Sequence, residues 1–358
     1  MPNNKNNYRD RLCSSVSAIK SYSVPGIDCE IKLDGNESPF ELTPEIKNEI
    51  ADKILSIQLN RYPDPEATKL KKSVSSFFKL PAESILFGNG SDELIQMLIE
   101  TFTGKSGTVL VPRPTFSMYK LTSLLLDKNV IEVELDPNSD IDQDQILKYI
   151  RENDPDLFFF ATPNNPTGNS FSEERIIKIL NSTSGLVIVD EAYFDYYGET
   201  FIPLLKEYDN LIVLRTMSKI GFASIRLGIL FANANLVNEL NKARLPYNIN
   251  SITQVIAEVA IDNYSLIEAN FSKIKDERKM LFEELKKIPD IKVFPSDANF
   301  FLIKVPDADK YYNKLIEQGI LVRNFNGSPG LDNCIRVTIG SSPENSKFLN
   351  AISAIALP

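Results

Sequence analysis

The sequence predicts an α/β protein: a large unit with a mainly parallel central sheet, then a smaller α+β unit at the C-terminal end. Three observations predict it. LFFFAT (Leu157 to Thr162), LVIVDE (Leu186 to Glu191) and LIVLRT (Leu211 to Thr216) are short continuous apolar runs bounded by turn residues. Helical spacing occupies the segments between them, the pattern of parallel strands buried on both faces. The last hundred residues change to one long helical stretch followed by short strands, and 358 residues suffice for one large domain or two ordinary ones.

Taken in order, Thr43 before Pro44 reads as a helix cap followed by a good first helical residue, with helical periodicity to Ile57. Ser84 to Phe87 is a strand that runs through GNGSDE (Gly88 to Glu93) into the helical LIQMLIETF, and Thr108 to Val111 is the next strand. The three apolar runs continue the sheet. Helical periodicity from about Ser251 to Lys287 then leads to strands near Ile291, Phe300, Leu321 and Ile335. The expected organisation is an arm over 1–42 packed on the smaller domain, a large domain over 43–250 and a small domain over 251–358.

Composition narrows the function. Apolar content is 43% and charged content 24%, an ordinary globular balance. A net charge of -9 disfavours binding to nucleic acid or an anionic membrane. No apolar run approaches the ~18 residues of a membrane span, and the polar start lacks a signal-peptide core, so a cytoplasmic protein is expected. Cys13, Cys29 and Cys334 are widely spaced, with no C-x-x-C, so neither a zinc site nor a disulfide framework is indicated. There is no His, which removes Ser-His-Asp triads and H-E-x-x-H metal sites. Acid–base work is left to Lys, Tyr, Asp, Glu or a cofactor.

Four segments carry residues suited to chemistry. GNGSDE joins a strand to a helix, where the amides of Ser91 and Asp92 suit an anion; it is also a plausible tight turn with a cap. TPNNPTG (Thr162 to Gly168) follows a buried strand at the end where open α/β sheets bind ligands, although its residues are common in turns. DEAY leaves Asp190 at the sheet's C-terminal edge with Tyr193 three residues on. LRTMSKIGFASIRLGIL (Leu214 to Leu230) sets Ser218, Lys219 and Arg226 in a small, apolar run. Either the cations snorkel to solvent, or a desolvated Lys219 serves as a nucleophile and Arg226 meets an anion.

Together these groups suit pyridoxal 5'-phosphate. Its protonated pyridine nitrogen needs a carboxylate, here Asp190. The 3-oxyanion needs donors, here Tyr193 and Asn165, and the aldehyde needs an amine, here Lys219. The phosphate needs Arg226, Ser218 and the amides at Ser91 and Asp92.

In this order, TPNNPTG, DEAY and RTMSKIGFASIRLG resemble the signature of the fold-type-I, class II pyridoxal-phosphate-dependent aminotransferases. Within them the chain is similar to the histidinol-phosphate aminotransferase family through LDGNESPF, RYPDPEATKLK, GNGSDELI, RPTFSMY, GILVRNF and CIRVTIG. The resemblance spans about residues 15 to 355. It implies that Lys219 bonds the cofactor aldehyde and moves the substrate Cα proton. It implies that Phe116 stacks on the pyridine ring, and that Tyr62 reaches the phosphate of the neighbouring subunit in a homodimer with a shared site. Arg336, Arg323, Asn36 and Tyr22 are implied as substrate contacts, although SYSVPG has one residue more than the usual Tyr-x-Pro-Gly around Tyr22. Ser38 and Phe40 stand where the family often has Asn and Tyr; Phe222, Ser224 and Ile225 replace the frequent Leu, Gly and Leu.

The implied reaction exchanges the amino group between histidinol phosphate and 2-oxoglutarate, running in biosynthesis from glutamate to imidazole-acetol phosphate. Threonine-phosphate decarboxylases and aromatic amino-acid aminotransferases share the scaffold. A pyridoxal-phosphate-binding regulator would carry a basic DNA-binding segment before these motifs, and none is present. A nicotinamide dehydrogenase needs a glycine fingerprint that is missing, since Glu93 occupies the third glycine's place.

Overall fold

The computed structural model describes residues 11–18 and 26–356. After a short strand β1 (Ile31–Lys32) come β2 (Ile85–Asn89), β3 (Thr108–Arg113), β4 (Asn129–Glu134), β5 (Leu157–Ala161), β6 (Leu186–Asp190), β7 (Leu211–Thr216) and β8 (Leu227–Ala232). The last seven form one sheet in the order β2-β8-β7-β6-β5-β3-β4. All are parallel except β8, which runs antiparallel to both β7 and β2.

The apolar runs are buried on both faces, as expected of covered parallel strands. Successive side chains alternate between two cores. Phe158, Phe160, Val187, Val189, Leu211 and Val213 join the core that includes Ile146 and Ile176 from the covering helices. Leu157, Phe159, Ile188, Ile212 and Leu214 meet Leu94, Leu98 and Leu240 on the other side.

Toward the C-terminus lie β9 (Lys292–Val293), β10 (Phe300–Lys304), β11 (Ile320–Leu321), β12 (Arg323–Asn324) and β13 (Cys334–Thr338). Four of them form an antiparallel sheet in the order β12-β13-β10-β9, and β11 pairs in parallel with β1. The N-terminal arm therefore divides. Ile31–Lys32 pairs with β11 of the C-terminal part, whereas helix Ser14–Ala18 rests against helix Ser117–Leu125 beside the large sheet.

Three further details differ from the sequence reading. Strand β4 had no counterpart in it: Asn129–Glu134 is only half-buried at the sheet's edge and lacks a continuous apolar run. The long helix divides at Asn263 into Ser251–Asp262 and Tyr264–Leu285, because Asn263 ends the first and starts the second. Strand β8 begins inside LRTMSKIGFASIRLGIL and runs two residues past it, and the glycine disguises it. Gly228 is required there: a Cβ would fall 2.6 Å from the carbonyl carbon of Gly90 on the neighbouring strand's exit.

Candidate active site

One cavity of about 260 Å³ opens at the C-terminal ends of β3, β5, β6 and β7. It is lined by twelve of the residues singled out in the sequence: Asn36, Ser91, Asp92, Phe116, Asn165, Asp190, Tyr193, Ser218, Lys219, Arg226, Arg323 and Arg336. They come from segments up to 300 positions apart, so folding alone assembles them.

The floor is Asp190, the last residue of β6, which is buried at 4% exposure. Its Oδ2 accepts a hydrogen bond from the Tyr119 hydroxyl at 2.7 Å, and Oδ1 accepts from the Ala192 amide at 3.1 Å. Burial nevertheless pushes this carboxyl up to about 6. A buried carboxylate held by a phenol and a backbone amide is suited to a cation brought in by a ligand.

Lys219 stands half-buried just beyond β7, its Nζ donating to the Gly35 carbonyl at 3.0 Å. Burial first, and then the Arg336 guanidinium, lower its ammonium to about 8. The backbone around it is pinned, since the Tyr196 hydroxyl donates to the Lys219 carbonyl at 2.6 Å.

A polar pocket for an anion lies beside it. Arg226 donates through Nη1 to Ser218 Oγ at 3.1 Å and through Nη2 to Asp92 Oδ2 at 3.3 Å. Thr216 Oγ1 donates to Ser218 Oγ at 3.0 Å. The helix Ser91–Phe102 starts at this point, after Gly90 at φ +82°; a Cβ there would meet Arg226 Nη2 at 2.7 Å. Among the described residues, the buried Asp92 Oδ1 has no hydrogen-bond partner.

The remaining wall belongs to the C-terminal sheet and the arm. Arg336 on β13 donates through Nη1 to Asn165 Oδ1 at 2.6 Å and through Nη2 to the Asp34 carbonyl at 2.5 Å. Arg323 on β12 lies in register beside it. Asn36 Nδ2 donates to the Tyr193 hydroxyl at 2.8 Å, joining the arm to β6's exit.

Two sequence expectations fall elsewhere. Tyr22 lies outside the described residues. Tyr62 does not line its own chain's cavity: it is 81% exposed and stacks on Tyr247 with ring centroids 4.6 Å apart. Conversely, Tyr119, Thr115 and Phe325 line the cavity but were not anticipated. Phe116 is half-buried and meets Tyr119 edge-on at 5.4 Å, so the three-residue spacing on one helix was the available signal for Tyr119.

The chain is similar to known proteins along almost its whole length. A histidinol-phosphate aminotransferase of Thermoanaerobacter sp. (strain X514) is 41% identical over 343 residues, which cover 96% of this chain and 97% of that protein. One from Vesicomyosocius okutanii is 43% identical, covering 95% of this chain and 96% of the other. The crystal structure of the histidinol-phosphate aminotransferase from Clostridium acetobutylicum matches with a TM-score of 0.84 at 29% identity, covering 91% of this chain and 99% of that one. The family model "Aminotransferase class I and II" matches residues 29–354, and the chain belongs to that family.

Proposed function

We propose that this cavity binds pyridoxal 5'-phosphate and that the enzyme transfers an amino group between histidinol phosphate and 2-oxoglutarate. The observation that carries the reading is the convergence on one cavity of a buried carboxylate, an amine lowered to about 8 and two arginines from the facing sheet. The relatives named above, near 40% identity over almost the whole chain, support the substrate. A Sinorhizobium meliloti histidinol-phosphate aminotransferase solved with pyridoxal-5'-phosphate has the same fold, with a TM-score of 0.88 at 20% identity.

The residues fit the cofactor. Asp190 is positioned for the pyridine nitrogen, Tyr193 and Asn165 for the 3-oxygen, and Phe116 for the ring face. Ser218, Arg226 and the helix start at Ser91 and Asp92 suit the phosphate, and the missing Cβ of Gly90 makes room for the Arg226 guanidinium. When bound, the cofactor supplies an electron sink for the carbanion at the substrate's Cα. Asp190 would keep the pyridine nitrogen protonated. Lys219, whose amine now donates to the Gly35 carbonyl, would bond the aldehyde and, once released there by the substrate's amino group, would carry the proton removed from Cα. Arg336, held by Asn165 and the Asp34 carbonyl, presents a planar cation to the substrate's anionic group.

The direct test mixes the purified pyridoxal-phosphate form with histidinol phosphate and follows the cofactor's absorption. Conversion to the aminated form is expected. No change with histidinol phosphate, alongside conversion by another amino donor, would overturn the substrate. The threonine-phosphate decarboxylase of Porphyromonas gingivalis shares the fold (TM-score 0.79, 18% identity), so fold does not separate the two reactions. Release of labelled carbon dioxide from threonine phosphate would favour that alternative.

Arg336→Gln is expected to impair both half-reactions, because glutamate's carboxylate and histidinol phosphate's phosphate use the same guanidinium. A charge-assisted contact contributes roughly 1.5–3 kcal/mol, so each specificity constant should fall about ten- to a hundredfold. Arg323→Gln should weaken histidinol phosphate more than glutamate. Single-turnover spectra with each substrate distinguish these outcomes; wild-type response to histidinol phosphate in both variants would move the anion site elsewhere.

The proposal includes a homodimer with a shared site. Leu55, Leu59, Tyr62 and Leu245 are each more than two-thirds exposed, which supports a face covered by a second copy. Tyr62→Phe should then weaken cofactor retention. In mixed dimers with Lys219→Ala chains, one site carries both defects and the other carries neither. Recovered activity is expected; none, with mixed dimers verified, means that Tyr62 acts within its own chain.

A further inference from the structure

Tyr119 has a part in this site that its burial conceals. Its side chain is fully buried on helix Ser117–Leu125. The ring stacks on Phe159 of β5, with centroids 4.8 Å apart and planes 14° apart. A phenol in such surroundings needs one well-placed acceptor, and its acceptor is Asp190 Oδ2 at 2.7 Å. The other carboxylate oxygen is met by the Ala192 amide from Asp190's own segment. Tyr119 is thus the side chain that grips Asp190 from another element.

The surrounding charges make this grip consequential. Asp92, from the helix beginning at Ser91, and Glu191, next along the chain, both disfavour charge on Asp190. Tyr193 lies near but faces Asn36 with its hydroxyl. The Tyr119 hydroxyl and the Ala192 amide are the hydrogen bonds that favour the ionised form. Burial and the Asp190 charge hold the Tyr119 hydroxyl well above its usual range, so it remains a donor throughout the working pH.

We propose that Tyr119 is a positioning residue: its hydroxyl fixes Asp190 Oδ2 and stabilises the carboxylate, so that the proton shared with the cofactor's pyridine nitrogen stays on the nitrogen. This rests on the reading that the cavity takes pyridoxal phosphate. Without the phenol, Asp190 becomes more basic and draws that proton toward itself. The ring is then closer to neutral and withdraws electrons less well, with no change in the groups that bind substrate.

The test is Tyr119→Phe, which keeps the stacked ring and removes only the donor. Affinity of the cofactor-free protein for pyridoxal phosphate is measured from pH 5 to 9 by equilibrium dialysis, without turnover. In the wild type, affinity should fall on the acid side as Asp190 protonates, with a midpoint near 6. In Tyr119→Phe that midpoint should move up by about one to two pH units. Turnover should fall about ten- to a hundredfold in kcat, with KM little changed. In an Asp190→Asn background the acid limb should vanish and Tyr119→Phe should add nothing.

A ring-fluorinated tyrosine at position 119 covers the case in which Tyr119→Phe fails to fold. It is a stronger donor of nearly the same shape and should move the midpoint down. A midpoint that stays in place in whichever variant folds overturns the inference. A wild-type chain that binds no pyridoxal phosphate at any pH overturns the cofactor reading, and the inference with it.

Discussion

Lys219→Ala is expected to hold pyridoxal phosphate without a covalent bond and to lose turnover by at least about 10²–10⁴-fold, the range for a positioned acid–base group alone. The wild-type amine is well placed to react because burial and Arg336 lower it to about 8. Its neutral fraction therefore rises through pH 8, about two units below an ordinary lysine. Capture of pyridoxal phosphate by the cofactor-free protein should accelerate from pH 6 to 8 and level off above that. Borohydride trapping followed by peptide mapping identifies the bonded residue. A label on any other lysine would refute the assignment, and capture that keeps accelerating to pH 10 would refute the lowered amine.

Asp190→Asn is expected to cost more in catalysis than in cofactor affinity. An amide cannot hold the pyridine nitrogen protonated, and loss of one preorganised electrostatic partner typically costs about 2.7–4 kcal/mol, or about 10²–10³ in kcat. The Tyr119 hydroxyl would still have an oxygen to bond at that position, so the cavity's shape should persist. Circular dichroism separates misfolding from the electrostatic effect. Near-normal turnover in a folded Asn variant would remove Asp190 from the proposed role.

Much of this site was legible because its residues sit in short motifs at strand exits. Asp190 ends an apolar run, and Lys219 and Arg226 interrupt one, so chemistry shows as a local exception to burial. What remained hidden depends on distant partners. Nothing near Lys219 in sequence announces that its amine meets the Gly35 carbonyl, 184 positions away. Asn36, whose side chain reaches Tyr193, stood out only through its motif. The antiparallel β8 was obscured because Gly228, needed for close approach to Gly90, reads as a loop residue. Tyr119 was hidden for a different reason: a tyrosine among phenylalanines looks like core, and its function lies in one hydroxyl.

The reversed strand β8 also acts as a ruler. Because β7 and β8 are adjacent and antiparallel, Lys219 and Arg226 lie in the single connection between them, closed at its base by the pairing of Thr216 with Gly228. On the proposed reading these residues grip neighbouring substituents of one rigid ring, the aldehyde and the phosphate arm, whose separation hardly varies, and a connection of fixed length matches it. The substrates differ from each other in length, and their arginines are carried on β12 and β13 of the other sheet. The distance between that grip and Lys219 is set by how two bodies pack rather than by a count of residues. Constant and variable spans are thereby assigned to different parts of the chain. An insertion between residues 219 and 226 would break the first, whereas repacking between the sheets retunes only the second.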